Sequence, residues 1–192
     1  GIEPLPGVIP VLRQLAERTD EASCGLVTGN VEGVARKKMK AMGIWDTGAL
    51  SSPSTEQLQK RKWAGTESIG FLGGFGSDFC SGDIDEPSRN YLDRAEQIAI
   101  AARRCQSMID GKTLKRVVHV GDAPADVLAA QACAKMGMCG EGIEVSIIGV
   151  ATGKFSAAEL KELAGEPEPG LWEPIILEEG IADPGFLQAC GL

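Results

Sequence analysis

Two aspartates four residues apart, Asp122 and Asp126, are the side chains whose spacing best suits chemistry in this sequence. Asp122 follows the apolar run at residues 117–120, and Asp126 falls in the first turn of the helical pattern behind it. Both carboxylates can therefore approach one point above the end of a strand. Oxygen ligands without a histidine or thiolate partner favour Mg²⁺ over zinc. An ordinary helix cap is the alternative, because Asp is favourable beside a helix N-terminus.

A second candidate segment is Thr28-Gly29-Asn30, which ends a short apolar run and precedes a helical pattern. A hydroxyl together with backbone N–H groups at a helix N-terminus suits a phosphate oxygen. Threonine followed by glycine is also common turn chemistry after a strand. The segment alone therefore leaves both a phosphate site and a plain turn open.

The elements that must position these residues alternate along the chain. The predicted strands are 24–28, 69–75, 117–120 and 145–150, and the predicted helices are 8–16, 31–42, 88–109, 125–136 and 156–163. This alternation is typical of an α/β fold, in which a parallel sheet lies between two helical layers and is joined by right-handed crossovers. The carboxyl ends of such strands share one edge, where ligands bind.

We expect residues 1–192 to form a single domain. The polar stretch at 46–68 is predicted to be an insertion, and 165–192 to be irregular apart from a short edge strand at 175–177. The first predicted element is a helix, although an α/β domain usually begins on a buried strand.

The composition excludes several classes of partner. The chain is 43% apolar and 24% charged, with a formal net charge of −8, which argues against nucleic acid and against an anionic membrane surface. No apolar run is long enough to span a bilayer, and the opening residues carry no export signal. The six cysteines are scattered, as in a reduced compartment. We therefore expect a cytoplasmic or organelle-matrix protein that is not secreted, and the sequence indicates no oligomeric state.

The two candidate segments, in this order and spacing, resemble motifs of the haloacid dehalogenase superfamily of phosphatases and related hydrolases. Residues 25–30 (Gly-Leu-Val-Thr-Gly-Asn) are similar to its second motif, and residues 118–126, with Gly-Asp-x-x-x-Asp, to its fourth. Residues 4–8 resemble the segment that re-enters the core after a mobile cap. The segments 74–78 and 148–153 are similar to the phosphoglycolate-phosphatase-like branch.

This resemblance implies a three-layer Rossmann-like core and a Mg²⁺-dependent phosphatase. Such an enzyme acts on a small phosphorylated metabolite through an aspartyl-phosphate. The resemblance implies that Thr28, Gly29 and Asn30 bind the phosphoryl group, with Thr28 also catalytic. It implies that Asp122 and Asp126 hold Mg²⁺.

The third motif of the superfamily supplies a cation that stabilises the nucleophile and the phosphate. Arg89, at the start of a long predicted helix, is assigned to this catalytic role, and Arg94 is the competitor. A cation is unfavourable beside a helix N-terminus unless an anion lies nearby, which favours a functional role for Arg89.

The nucleophile of the superfamily, the first Asp of an Asp-x-Asp pair at the end of a first central strand, has no counterpart in this sequence. Asp83-Ile-Asp85 matches the Asp-x-Asp pattern, but it follows a loop-like stretch and not an apolar strand, so we do not assign it as the nucleophile. We expect a fragment whose first central strand, nucleophile and cap lie outside it, and which is inactive and poorly stable alone. The absent strand would leave a gap or a direct pairing between the strands that end at Thr28 and Asp122.

A non-catalytic α/β domain that binds a phosphorylated ligand or a partner protein is the second hypothesis, because the nucleophile is missing. An unrelated nucleotide-binding sheet ranks last, since the sequence has no Gly-x-Gly-x-x-Gly after a first strand and no complete Walker-type motif. His119, the only histidine, is expected to be a strand residue under a helix and not a catalytic group.

Overall fold

Strands and helices alternate along the chain in a computed structural model that describes residues 2–50, 73–78, 80, 85–107, 111–166, 171 and 173–192. The elements are α1 (Val8–Ala16), β1 (Leu26–Thr28), α2 (Glu32–Ala41), β2 (Gly73–Phe75), α3 (Asn90–Gln106), β3 (Arg116–Gly121), α4 (Pro124–Lys135), β4 (Glu144–Val150), α5 (Ala157–Ala164), β5 (Ile175–Leu177) and α6 (Phe186–Ala189). Short 3₁₀ turns occupy Trp45–Thr47, Pro87–Arg89 and Gly180–Ala182. The predicted α/β class is confirmed.

Among the described residues the strands pair only in parallel, and they form two sheets. β1 pairs with β2, with Thr28 opposite Phe75. β3, β4 and β5 form the second sheet, in which Gly121 lies opposite Gly149 and Ile148 opposite Ile175. Within the described ranges no ladder joins β1 to β3, so these two strands do not pair directly.

Helices α3 and α4 hold the two sheets in one layer. α3 packs on β1, β2 and α4, while α4 packs on β3 and β4. The apolar cluster beneath them takes Val27 from one sheet and Val117 and Ile147 from the other. Small side chains such as Ala95 and Ala129 are completely buried there, which allows the two helices to approach closely.

Helix α1 lies on the face of the sheets opposite to α3 and α4. Successive side chains of a strand point to opposite faces, and α1 contacts the strand side chains that point away from α3 and α4. Ile9 and Leu12 pack with the cluster around Phe75, and Val11 packs with the cluster around Ile148. No residue of α1 is fully buried. Two helical layers therefore enclose the strands, as expected for a three-layer arrangement.

The structure differs from the prediction in several segments. The strand predicted at 69–75 is observed over Gly73–Phe75, and residues 51–72 lie outside the described part of the chain, as do Asp83 and Ile84. The helix predicted from residue 88 begins at Asn90, after a 3₁₀ turn.

In the C-terminal segment the predicted edge strand is confirmed, since β5 occupies Ile175–Leu177. The described part of this segment also holds a 3₁₀ turn and the four-residue helix α6, where the prediction was irregular structure. The physical reason is apolar packing, since Phe186 is buried against Ile148 and Val150 of β4. In the helices that the structure describes, none is long and apolar enough to cross a membrane.

A glycine in β2 sets the distance between the strand and α3. A Cβ at Gly74 would overlap the backbone oxygen of Gln97, so Gly74→Ala must push α3 away from the sheet. We expect this change to lower the free energy of unfolding by about 1–3 kcal/mol. Urea denaturation measures it. Gly33→Ala in α2, where an added Cβ meets no atom within 4 Å, is the control and should raise it by about 0.5–1 kcal/mol. An unchanged unfolding free energy in Gly74→Ala would contradict the close packing.

Candidate functional site

A cavity of about 410 Å³ lies where β1 and β2 end and α3 begins. Its lining is mostly polar and consists of Gly29, Gly76, Asp78, Cys80, Asn90, Asp93, Arg94 and Gln97. Gly29 belongs to the predicted phosphate-binding segment, and Arg94 is the competitor for the third-motif cation. Ligand sites of α/β folds occupy the same position relative to the sheet, beyond the carboxyl ends of the strands.

The hydroxyl of Thr28 is held in place by Asn30. Its Oγ1 accepts hydrogen bonds from the backbone N–H of Asn30 at 3.2 Å and from Nδ2 of the same residue at 2.9 Å. A hydroxyl can accept two hydrogen bonds and still donate one. Neither bond uses the hydroxyl hydrogen of Thr28, so this group can donate to a phosphate oxygen.

Asn30 acts here as a bridge between Thr28 and a lysine. Its Oδ1 accepts a hydrogen bond from Lys38 Nζ at 3.2 Å, while its Nδ2 donates to Thr28. Both ends of the amide are therefore occupied, and Asn30 orients Thr28. Lys38 was not selected from the sequence, because it is one of several basic residues on α2 and only the helix geometry brings it back to Asn30.

The N-terminus of α2 already has a polar partner from the turn after β2. The backbone N–H of Glu32 donates to Ser77 Oγ at 3.2 Å. Asp78, the next residue, accepts from the backbone N–H of Phe75 at 2.7 Å and forms two hydrogen bonds with Arg104, at 2.6 and 2.9 Å. The segment after β2 is thus fixed by hydrogen bonds to α2 and to α3.

Asp126 is buried and fully engaged by neighbouring donors. Its Oδ2 accepts from the backbone N–H of Ala123 at 3.1 Å, and its Oδ1 accepts from Arg94 Nη1 at 2.5 Å and lies 3.3 Å from His119 Nε2. Burial opposes ionisation of this carboxyl group, but the hydrogen bonds and charges of His119 and Arg94 outweigh it, so the pKa of Asp126 lies below its ordinary value.

The approach of Asp126 to the end of β3 requires a glycine. A Cβ at Gly121 would overlap the side chain of Asp126. This explains why the fourth-motif segment has Gly directly before Asp122. His119 is buried, as expected, but it also contacts Asp126, which was not expected. Its place two residues before Gly121, on the same face of β3, is the signal in the sequence that indicates this contact.

Asp122 is exposed at the junction of β3 and β4. Its carboxylate lies so close to Gly153 that a Cβ on that glycine would overlap it. The two predicted metal ligands are therefore in different situations. Asp122 presents carboxylate oxygens to solvent, whereas the oxygens of Asp126 are held by protein donors. Only one of the two predicted ligands therefore has carboxylate oxygens that face solvent, and Mg²⁺ commonly takes one or two protein carboxylates together with substrate phosphate and water.

The two candidate arginines occupy different environments. Arg89 forms a 3.5 Å ion pair with Glu86, and its side chain is 56% exposed. Arg94, in the second turn of α3, lines the cavity and binds Asp126. The structure thus brings Arg94 to the fourth-motif segment and places Arg89 in a surface pair. The reason is helical phase, since Arg94 lies one turn before the buried Ile98 on the face that packs against α4.

No family model, curated protein or solved structure matches this chain.

Replacing the buried carboxylate should expose its contribution to stability. A folded-state pKa below the unfolded value of about 3.9 means that the stabilisation by Asp126 is present above that pH and is lost as the pH falls through the folded-state pKa. We expect Asp126→Asn to lower the free energy of unfolding by about 1–3 kcal/mol at neutral pH. Urea denaturation at several pH values should show this difference shrinking below about pH 4. The control is Asp122→Asn, whose exposed side chain should change stability by less than about 0.5 kcal/mol. Equal losses in both variants would refute the assignment.

Proposed function

We propose that this chain is the core of a Mg²⁺-dependent phosphatase that hydrolyses a small phosphorylated metabolite through an aspartyl-phosphate. One observation carries the proposal. Arg94 lines the cavity that contains Gly29 and also binds Asp126, so a single cation connects the segments that resemble the second and fourth motifs. An arginine beside a polar cavity suits an anionic substrate. The net charge of −8 argues against nucleic acid and an anionic membrane as partners.

The phosphoryl group would be held at the end of β1. Thr28 has a hydroxyl hydrogen to donate, and Asn30 fixes its position. Gly29 is exposed on the cavity, where its backbone can approach a phosphate oxygen closely. Lys38, through Asn30, adds a positive charge nearby. Phosphoryl transfer depends mostly on positioning and on charge stabilisation, which these groups can supply.

Asp122 would hold the magnesium ion, and Asp126 would position the segment. Mg²⁺ bound there would neutralise negative charge on the phosphoryl oxygens. Asp126 keeps the turn after β3 in place through Ala123, and it holds Arg94 toward the cavity. We therefore assign the third-motif role to Arg94 in place of Arg89.

The nucleophile would come from a segment outside the 192 residues. Within the described part, no Asp-x-Asp follows a strand, and each of β1 and β3 has a single strand partner. In the proposed scheme an added strand lies between them and ends in the nucleophilic Asp. Its carboxylate attacks phosphorus as the P–O bond to the leaving alkoxide breaks, and the alkoxide takes a proton from water. A second water then attacks the aspartyl-phosphate, which releases phosphate and regenerates the carboxylate.

Substitution in the complete protein tests the proposed roles of Asp122 and Thr28. Thr28→Ala should lower kcat for a generic phosphomonoester by about 10²-fold, because one donor to the phosphoryl group is lost. Asp122→Ala should lower it further and remove the dependence on Mg²⁺. Asp46→Ala, an exposed aspartate in a 3₁₀ turn, is the matched control and should retain full activity. Full activity in Asp122→Ala would exclude its metal role.

The isolated 192-residue chain should not hydrolyse a phosphomonoester, because the nucleophile is missing. A colorimetric phosphate assay measures this, and hydrolysis that a chelator abolishes would overturn the assignment of the nucleophile. If the complete protein is also inactive but binds a phosphate ester in a Thr28-dependent way, the non-catalytic ligand-binding domain replaces the enzyme.

A further inference from the structure

A cysteine and two carboxylates meet on the α3 side of the cavity that Gly29 and Arg94 also line. Cys80 Sγ and a carboxylate oxygen from each of Asp93 and Glu96 lie within 4.8 Å of one another. Asp93, Glu96 and Gln97 share one face of α3, since they are three and four residues apart. Cys80 is held against this face by a 3.6 Å hydrogen bond from its thiol to the backbone oxygen of Asp93.

Two oxygen atoms at this place are buried and have no hydrogen-bond partner among the described residues. They are Asp93 Oδ1 and Gln97 Oε1. Gln97 is only 6% exposed, and it lines the cavity together with Cys80 and Asp93. A buried polar atom that lacks a partner costs about 1–3 kcal/mol. An unpartnered acceptor on each of two residues that line one cavity favours a cation as the missing partner.

We propose that Cys80, Asp93, Glu96 and Gln97 form a binding site for a thiophilic divalent cation of the zinc class. Zinc accepts thiolate and carboxylate ligands in a tetrahedral arrangement. Magnesium is disfavoured, because it prefers oxygen ligands only and octahedral geometry. The site shares the cavity with Gly29 and Arg94 but does not include Asp122, and metal binding to it can be measured without any phosphatase activity.

The charges around Cys80 support a cation. Burial raises the pKa of the thiol, and the carboxylates of Asp93, Glu96 and Asp78 raise it further, despite a hydrogen bond from Gln97. A bound divalent cation reverses this balance, because it stabilises the thiolate and neutralises the carboxylates. Binding therefore releases the Cys80 proton to solvent. Arg94 and Arg104, on the same helix, donate to Asp126 and Asp78.

The spacing of the ligand atoms is compatible with closure on a metal. Tetrahedral zinc, with bonds of about 2.0 Å to oxygen and 2.3 Å to sulfur, places its ligands roughly 3.3 to 3.8 Å apart. The ligand atoms of Cys80, Asp93 and Glu96 lie within 4.8 Å of one another, so side-chain rotations that close about 1 Å bring these three into range.

Metal titration of the purified chain tests the site. One equivalent of Co²⁺ should produce a sulfur-to-cobalt charge-transfer band in the near ultraviolet, and Zn²⁺ should abolish it. Competition with a chromophoric chelator gives the zinc affinity, which should fall at least about tenfold in Cys80→Ser and in Glu96→Gln. Zn²⁺ should also raise the Tm of the unsubstituted chain and leave that of Cys80→Ser unchanged.

Cys190→Ser is the control for the thiol, because Cys190 packs in a different cluster, beside Phe186. It should retain the band and the affinity. Circular dichroism checks that each variant is folded. If Cys80→Ser does not fold, the zinc affinity of Glu96→Gln tests the site in its place. The proposal is overturned if no band forms, if the band persists in Cys80→Ser, or if millimolar Mg²⁺ displaces the zinc.

Discussion

The buried carboxylate of Asp126 is the polar contact on which the arrangement of the two sheets depends. It lies on α4, contacts His119 of β3, and binds Arg94 of α3, the helix that covers β1 and β2. In the described part of the chain no ladder links β1 to β3. The ion pair between Arg94 and Asp126 therefore joins the helices that cover the two sheets, in addition to the apolar cluster that both sheets share. Removing Arg94 would leave the buried carboxylate of Asp126 without this cation, whereas Arg94, whose side chain is 32% exposed, can be solvated in part when Asp126 is removed.

This carboxylate also connects stability with the candidate site. The same contacts that satisfy it hold Arg94 toward the cavity and fix the turn that presents Asp122. A site that is organised before its ligand arrives loses less entropy on binding. Asp126 thus serves as a support for the residues that face solvent, and its own oxygens are directed into the protein.

The sequence predicts the order of strands and helices well, because alternating apolar runs and helical stripes are local properties. The choice of Arg89 or Arg94 for the third-motif role is harder to make from the sequence. Arg89 directly precedes α3, and Arg94 lies in its second turn. The choice depends on where the helix starts and on which face meets α4. Arg94 is in phase with Ile98, and that phase was available in the sequence. The C-terminal helix could not be found in this way, because its contact with β4 joins distant parts of the chain. Lys38 is only eight residues from Asn30, but it is one of several basic residues on α2, and the sequence alone does not single it out.

The two sheets differ in how their backbone is protected. β4 is hydrogen-bonded along both edges, and six of its seven residues are buried, whereas the three residues of β1 are all half-buried. Native-state hydrogen exchange reflects the free energy of local opening, which is small where few residues are buried. The amide protons of β4 would therefore exchange last and those of β1 early. The end of β1, where Thr28 and Gly29 lie, can thus change shape through a local fluctuation that leaves the other sheet intact.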